Sequence, residues 1–296
     1  MDDQQQLRDN QQQPVGAPVN NGFPVTTIDG VKILDRIGSG GQGAVFLATA
    51  VEAGMVPDGV DAFAVKISPL DQLGSSLREC RIHRDVSGHS NISAFFRHRV
   101  CDNYVLLLTE LVCGGDLRSV CERCVSGLPE ATVAEIGMQV ASALAHMNVR
   151  GVAHCDVKPD NVLVCEAFSS AGGNVVKLVD FGVATEFRVD GDGAASVPVR
   201  GGTPAYLPVE ATASRPVDPR KVDSFSLGVM LCEMLTGKHP FADFGGNVED
   251  DVVEQRLAAA SRGMQLVVGW LMDNEPSRRP SAAEAVEFLR QLVPQE

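Results

Sequence analysis

The chain has 296 residues, 44% hydrophobic and 21% charged, with a formal net charge of −13 at pH 7. Its size and composition suit a soluble globular protein of one large or two small lobes. The acidic balance argues against nucleic acid as a partner, since phosphate binding needs clustered Lys and Arg, and no run of 18 apolar residues marks a membrane span.

Residues 1–27 are rich in Gln, Asn and Pro and poor in large apolar side chains, which predicts a disordered tail. The opening MDDQQQLRDNQQQ lacks the basic-then-apolar order of a signal peptide, which predicts an intracellular, soluble protein, cytoplasmic or nuclear. Strands are expected at 31–37, 44–50 and 62–67, the last two joined by a loose excursion containing Gly54, Pro57 and Gly59. A helix over 75–86 and strands near 92–99 and 104–111 follow. Beyond Gly114-Gly115 helical spacing takes over: Val133, Ile136, Val140, Leu144 and Met147, then Leu227, Met230, Leu231, Met234 and Leu235. The last helix carries Ala282, Ala285, Val286, Leu289 and Leu292, with Ser281 and Glu284 as a capping box. The whole reads as an α+β protein, a small antiparallel sheet lobe with one helix (28–113) before a larger, mainly helical lobe (114–293). The eight cysteines are expected as free thiols; Cys121 and Cys124 form one CxxC with no second pair at zinc spacing.

Four segments carry chemistry. Gly38-Ser39-Gly40-Gly41-Gln42-Gly43 is G-x-G-x-x-G, but it leads into the β-like run 44–48 and not into a helix. That argues against a dinucleotide turn and for a glycine hairpin whose N–H groups can approach phosphate. Lys66 stands alone in the apolar run 62–67, either snorkelling at an edge or aimed at phosphates and held by Glu79, the one glutamate of the next helix. His154-Cys155-Asp156-Val157-Lys158-Pro159-Asp160-Asn161 packs acids, a lysine and an amide between short apolar strands. There Asp156 can orient and deprotonate a hydroxyl, Lys158 can offset phosphoryl charge, and Asn161 can bind Mg²⁺. Nineteen residues after Asn161, Asp180-Phe181-Gly182 follows an apolar strand and supplies a second Mg²⁺ ligand.

In this order the segments resemble the eukaryotic protein kinase family, serine/threonine type, over about residues 28–293. The resemblance implies a two-lobed fold, ATP and Mg²⁺ as cofactors, and protein substrates with Ser or Thr acceptors. Asp156 is then the catalytic carboxylate, with Lys158 and Thr203 beside it. Lys66 meets the α and β phosphates and pairs with Glu79, and Asn161 and Asp180 hold the metal. Ile37, Gly38, Ser39, Gly40, Gly43, Val45, Ala64, the gatekeeper-like Thr109, the hinge-like Glu110, Leu111 and Val112, Asp116 and Leu163 line the nucleotide. Asp223 matches the brace of the catalytic loop, and Arg279 matches the partner of Glu210. Asp116, Asp160 and Glu233 match positions that read basic residues, so the resemblance, with the net charge, implies basic substrates. The runs 79–84 and 181–188 are similar to Polo-like and checkpoint kinases respectively, without assigning a subfamily.

The chain departs from the family pattern at four places. Cys155 replaces the arginine that clamps a phosphorylated activation loop, which predicts little dependence on phosphorylation between 183 and 208. Pro208-Val209-Glu210 replaces Ala-Pro-Glu, Glu79 follows Lys66 by only 13 positions, and His83 takes a usually aliphatic core position. A catalytically silent kinase-fold scaffold acting through protein contacts is the alternative reading, and a small-molecule kinase is a third.

Overall fold

The computed structural model describes residues 19–20, 23–24, 26–40, 43–166, 168–169, 172–191, 193, 195–212, 215–241 and 257–294. They fall into two compact units, one drawn from Met1–Leu73 and Phe96–Leu111, the other from Gly74–Phe95 and Val112–Glu296. Most of the tail expected over 1–27 lies outside the described residues. Within it, β1 (Val19–Asn20) pairs antiparallel with β2 (Phe23–Pro24).

The first unit is built on a six-stranded antiparallel sheet. Its strands are β3 (Thr27–Ile28), β4 (Val31–Gly40), β5 (Gly43–Ala50), β6 (Phe63–Pro69), β7 (Phe95–Val100) and β8 (Tyr104–Thr109), in the order β3-β4-β5-β6-β8-β7. Period-two alternation sorts its faces. Phe46, Val65 and Leu108 lie opposite one another and, with Val31, Ile33, Ala48, Phe63 and Leu106, make the buried face. Strand β7 starts at Phe95, later than the expected 92, because Ile92 closes a turn onto the His89 carbonyl and bridges Leu178 instead.

The second unit packs helices around Ile136, Val140, Leu144, Leu227, Met230 and Leu231, all buried. Its helices are α1 (Leu73–Val86), α2 (Leu117–Arg123), α3 (Glu130–Val149), α4 (Val209–Thr212), α5 (Pro219–Thr236), α6 (Arg262–Leu271) and α7 (Ala282–Arg290). Helix α1 joins this core through Ile82 and Val86. The three long periodic patterns appear as α3, α5 and α7, and Ser281 and Glu284 form the capping box of α7. The apolar runs around the 154–161 loop are strands β9 (Val152–Ala153) and β10 (Val162–Val164). They pair with β12 (Thr185–Glu186) and β11 (Val176–Leu178) respectively. The loop is thus held between two separate hairpin-like pairs. All eight cysteines carry free thiols. Among the described residues no helix is long and apolar enough to cross a membrane.

Candidate active site

In the first unit the glycine segment is a hairpin, as its apolar sequel implies: Gly38 pairs with Val45, Ser39 with Ala44 and Gly40 with Gly43. Residues 41 and 42 lie outside the described ones. Gly43 has φ +153°, and a Cβ there would collide with the Ile67 carbonyl oxygen, so the close approach of β5 to β6 requires glycine. Lys66 lies opposite Val45 and Leu107, and Ala64 opposite Leu47 and Thr109. Cross-strand partners share a face, so Val45, Ala64, Lys66 and Thr109 stand together on the face away from Phe46, Val65 and Leu108. One face supports the sheet, and the other carries the residues assigned to nucleotide. Ile37 lies on β4 and is exposed, and Glu110 and Leu111 follow β8 along the chain.

In the second unit, Val112 leads to Gly114, whose N–H donates to the Val164 carbonyl at 2.8 Å. A Cβ at Gly114 would strike the carbonyls of Glu166 and Val164. Asp116 bridges Leu163 and caps α2, its Oδ1 accepting from Ser119 N at 2.7 Å. Glu79 lies on α1 and is buried.

The 154–161 loop hangs on Asp223. His154 N and Cys155 N donate to its two carboxylate oxygens, each at 2.7 Å. Burial pushes the Asp223 carboxyl up to about 7, against the two backbone N–H bonds. His154 Nδ1 accepts from Asp156 N at 3.2 Å, and Nε2 lies 3.0 Å from the Val179 carbonyl. A carbonyl only accepts, so Nε2 carries the proton and the ring is neutral; burial, which lowers the His154 pKa, agrees. Phe181 packs between His83 and His154, with ring centroids 4.6 and 5.4 Å away. His83 is a buried core histidine whose Nε2 donates to the Ser93 carbonyl at 2.7 Å.

Asp156 is gripped on both oxygens. Oδ1 accepts from Thr203 N and Thr203 Oγ1, each at 2.7 Å. Oδ2 accepts from Asn161 Nδ2 at 2.9 Å and faces Lys158 Nζ at 3.0 Å. Lys158 Nζ also donates to Thr203 Oγ1 at 2.6 Å. A carboxylate, an ammonium and a hydroxyl therefore meet at one point, a set able to orient a second hydroxyl and receive its proton while a fixed cation offsets anionic charge.

The metal-ligand expectation fits the donor chemistry. Asn161 spends Nδ2 on Asp156, also donating to its carbonyl at 2.8 Å, which leaves the amide oxygen as its donor to a cation. Val179 N donates to the Asn161 carbonyl at 3.0 Å, bringing Asp180 in next to it. Two protein oxygens suit Mg²⁺, which takes its remaining ligands from water and phosphate. Among the described residues no group of three His, Cys, Asp or Glu is placed to hold a metal. Cys155 and Asp180 both have φ +62°, the left-handed region that non-glycine residues enter at a cost of about 1–3 kcal/mol.

Several contributors were not legible beforehand. Gly202, at φ +131°, passes so close that a Cβ would strike the Cys155 carbonyl; the Gly201-Gly202 doublet was its only signal. Cys155 itself is fully buried in an apolar cluster with Ala153, Phe187 and Ala195, against which Val197 and Val199 pack. Arg81 makes a bidentate pair with Glu186, both bonds at 2.6 Å, and Arg78 donates to the Gly182 carbonyl at 2.7 Å. Arg118 bridges Glu233 and Asp160. The expected Glu210–Arg279 pair is formed, at 2.5 Å.

Residues 31–289 match the family described as "Protein kinase domain". Relatives include Serine/threonine-protein kinase PKZ1 of Phytophthora infestans, 32% identical over 252 residues, covering 76% of this chain and 58% of that protein. CBL-interacting serine/threonine-protein kinase 7 of Arabidopsis thaliana is 33% identical over 237 residues, covering 76% and 52% respectively. Serine/threonine-protein kinase unc-51 of Caenorhabditis elegans is 33% identical over 214 residues, covering 70% of this chain and 24% of its own length. The chain thus spans little more than half, or less, of the relatives it matches.

Proposed function

Because this chain belongs to the protein kinase family, we propose that it is a serine/threonine kinase transferring the γ-phosphate of ATP to Ser and Thr hydroxyls of protein substrates. The observation that carries this reading is the meeting of Asp156, Lys158 and Thr203. Asp156 orients the acceptor hydroxyl and takes its proton as the acceptor's O–P bond forms and the γ-phosphorus separates from the β–γ bridging oxygen, releasing ADP. Lys158 balances charge on the transferred group, and Thr203 holds both side chains in place. Bound Mg²⁺ at Asn161 and Asp180 would neutralise the phosphates. Lys66, Glu79 and the nucleotide-lining residues keep the roles that the resemblance assigns, and the domain limits 28–293, with lobes divided at 113/114, belong to the same proposal.

Transfer is further proposed to need no phosphate on the 183–208 segment. The Cys155 cluster anchors Ala195, Val197 and Val199 by apolar contact, and Glu186 already supplies Arg81 with an anion. The acids Asp116, Asp160 and Glu233, matched to a preference for basic targets, are engaged within the chain. Asp116 caps α2, and Arg118 engages the other two.

The test is radiolabel transfer from Mg-ATP to a mixed peptide library, with Asp156→Asn and Asp180→Ala as controls and a phosphatase-treated sample. Labelled phosphoserine or phosphothreonine should appear, fall about 10²–10⁴-fold in Asp156→Asn, and survive phosphatase. Equal labelling by all three proteins would leave the scaffold reading. Selective loss after phosphatase would remove the second part alone.

A further inference from the structure

We propose that Arg118 sets the target preference of this chain by filling, from within, the acidic pocket that would otherwise select a basic residue of the substrate, so that neutral target sequences are accepted. The inference rests on the kinase reading above and adds the substrate class.

The network is closed. From α2, Arg118 Nη1 reaches Glu233 Oε1 at 2.5 Å, while Nη2 and Nε reach Asp160 Oδ2 at 3.2 and 3.3 Å. Nη2 also donates to the Tyr206 hydroxyl, which in turn donates to Glu233 Oε2 at 2.5 Å. Every nitrogen of the guanidinium and both oxygens of Glu233 are therefore committed. The Glu233 side chain is only 6% exposed and that of Arg118 25%. Burial pushes the Tyr206 hydroxyl far above its usual range, so it stays a donor.

The network borders the reacting groups. Asp160 follows Lys158 by two residues, and Tyr206 follows Thr203 by three. A substrate arginine arriving here would find Glu233 saturated and a like charge already in place, and like charges brought together are disfavoured. It would have to expel Arg118, exchanging a cation already held by the chain for one that carries the cost of association, while the displaced guanidinium loses its buried partners. Asp160, with a side chain 48% exposed, offers only a screened contact at the rim.

The experiment compares peptide pairs that differ by Arg or Gln upstream of the acceptor, using the full chain as wild type, Arg118→Ala and Arg118→Ala/Glu233→Gln. Wild type should show kcat/KM ratios within about twofold. Arg118→Ala should favour the Arg peptide by about tenfold, chiefly through KM, and the second substitution should abolish that gain. In parallel, without ATP, arginine amide should raise the Tm of Arg118→Ala and not of wild type. A tenfold Arg preference in wild type, or a folded Arg118→Ala with neither preference nor arginine-amide stabilisation, overturns the proposal. An Arg preference in wild type overturns the proposal even where the variant folds poorly. Absence of transfer to every peptide would instead defeat the kinase reading, while arginine-amide binding still judges the pocket.

Discussion

At Asp156 burial pushes the carboxyl up, but hydrogen bonds from Thr203 and Lys158 outweigh it and hold the group below the usual carboxylate range. A lowered folded pKa means that the stabilisation is complete above the unfolded value, about 4, and is lost as pH falls through the folded one. Asp223 runs the other way: its carboxyl at about 7 makes stability decline as pH rises from about 4 to 7, because the unfolded chain ionises first. Thr203→Val should therefore raise the Asp156 pKa and move the acid limb of the kcat/KM profile to higher pH. An unmoved limb would show that Thr203 does not tune the carboxylate. Gly202→Ala places a Cβ against the Cys155 carbonyl at φ +131°. It should destabilise by about 1–3 kcal/mol, read by urea unfolding, and lower kcat more than it changes ATP binding.

Elements with long periodic faces were readable in advance, and short ones only where, as at β9 and β10, they flank a recognisable motif. Helix α7 was signalled by its spacing and by Ser281 and Glu284, and the capping box is present. Ser281→Ala should cost about 0.5–2 kcal/mol and lower Tm by a few degrees, with activity at 25 °C retained. Helix α2 has seven residues, fewer than two turns, which is too few for a period to declare itself. Its start is set by Asp116 accepting from Ser119 N, so a residue expected at ribose or substrate serves first as a cap. Strand β12 has two residues and exists because β9 offers a partner, a cause no local pattern can encode.

Across the second unit, Arg279 ties three distant stretches together. Its side chain is 1% exposed, pairs with Glu210, and donates to the carbonyls of Asp273 at 2.7 Å and Lys221 at 3.1 Å. Its guanidinium also sits 4.9 Å from the Phe225 ring centroid. Arg279→Met would strand Glu210 and two carbonyls and should cost about 3–5 kcal/mol in thermal or urea unfolding. Arg279→Lys should not rescue it, because a single ammonium cannot reproduce the planar fork.

By itself the sequence indicated the family and the order of the long elements, and it pointed to Asp156, Lys158, Asn161 and Asp180 as the residues to propose for the chemistry. Those follow from residue types at fixed spacing along one chain, and chemistry of that kind is local. Only the tertiary structure decided the partners that no motif declares. It joined Arg118 to Glu233 across 115 residues, and it buried Cys155 in an apolar cluster where the family pattern has an arginine. The physical reason is that a carboxylate's role depends on which cation reaches it first. At Glu233 that cation comes from the chain itself, so an acidic position that looks made for a substrate is already filled.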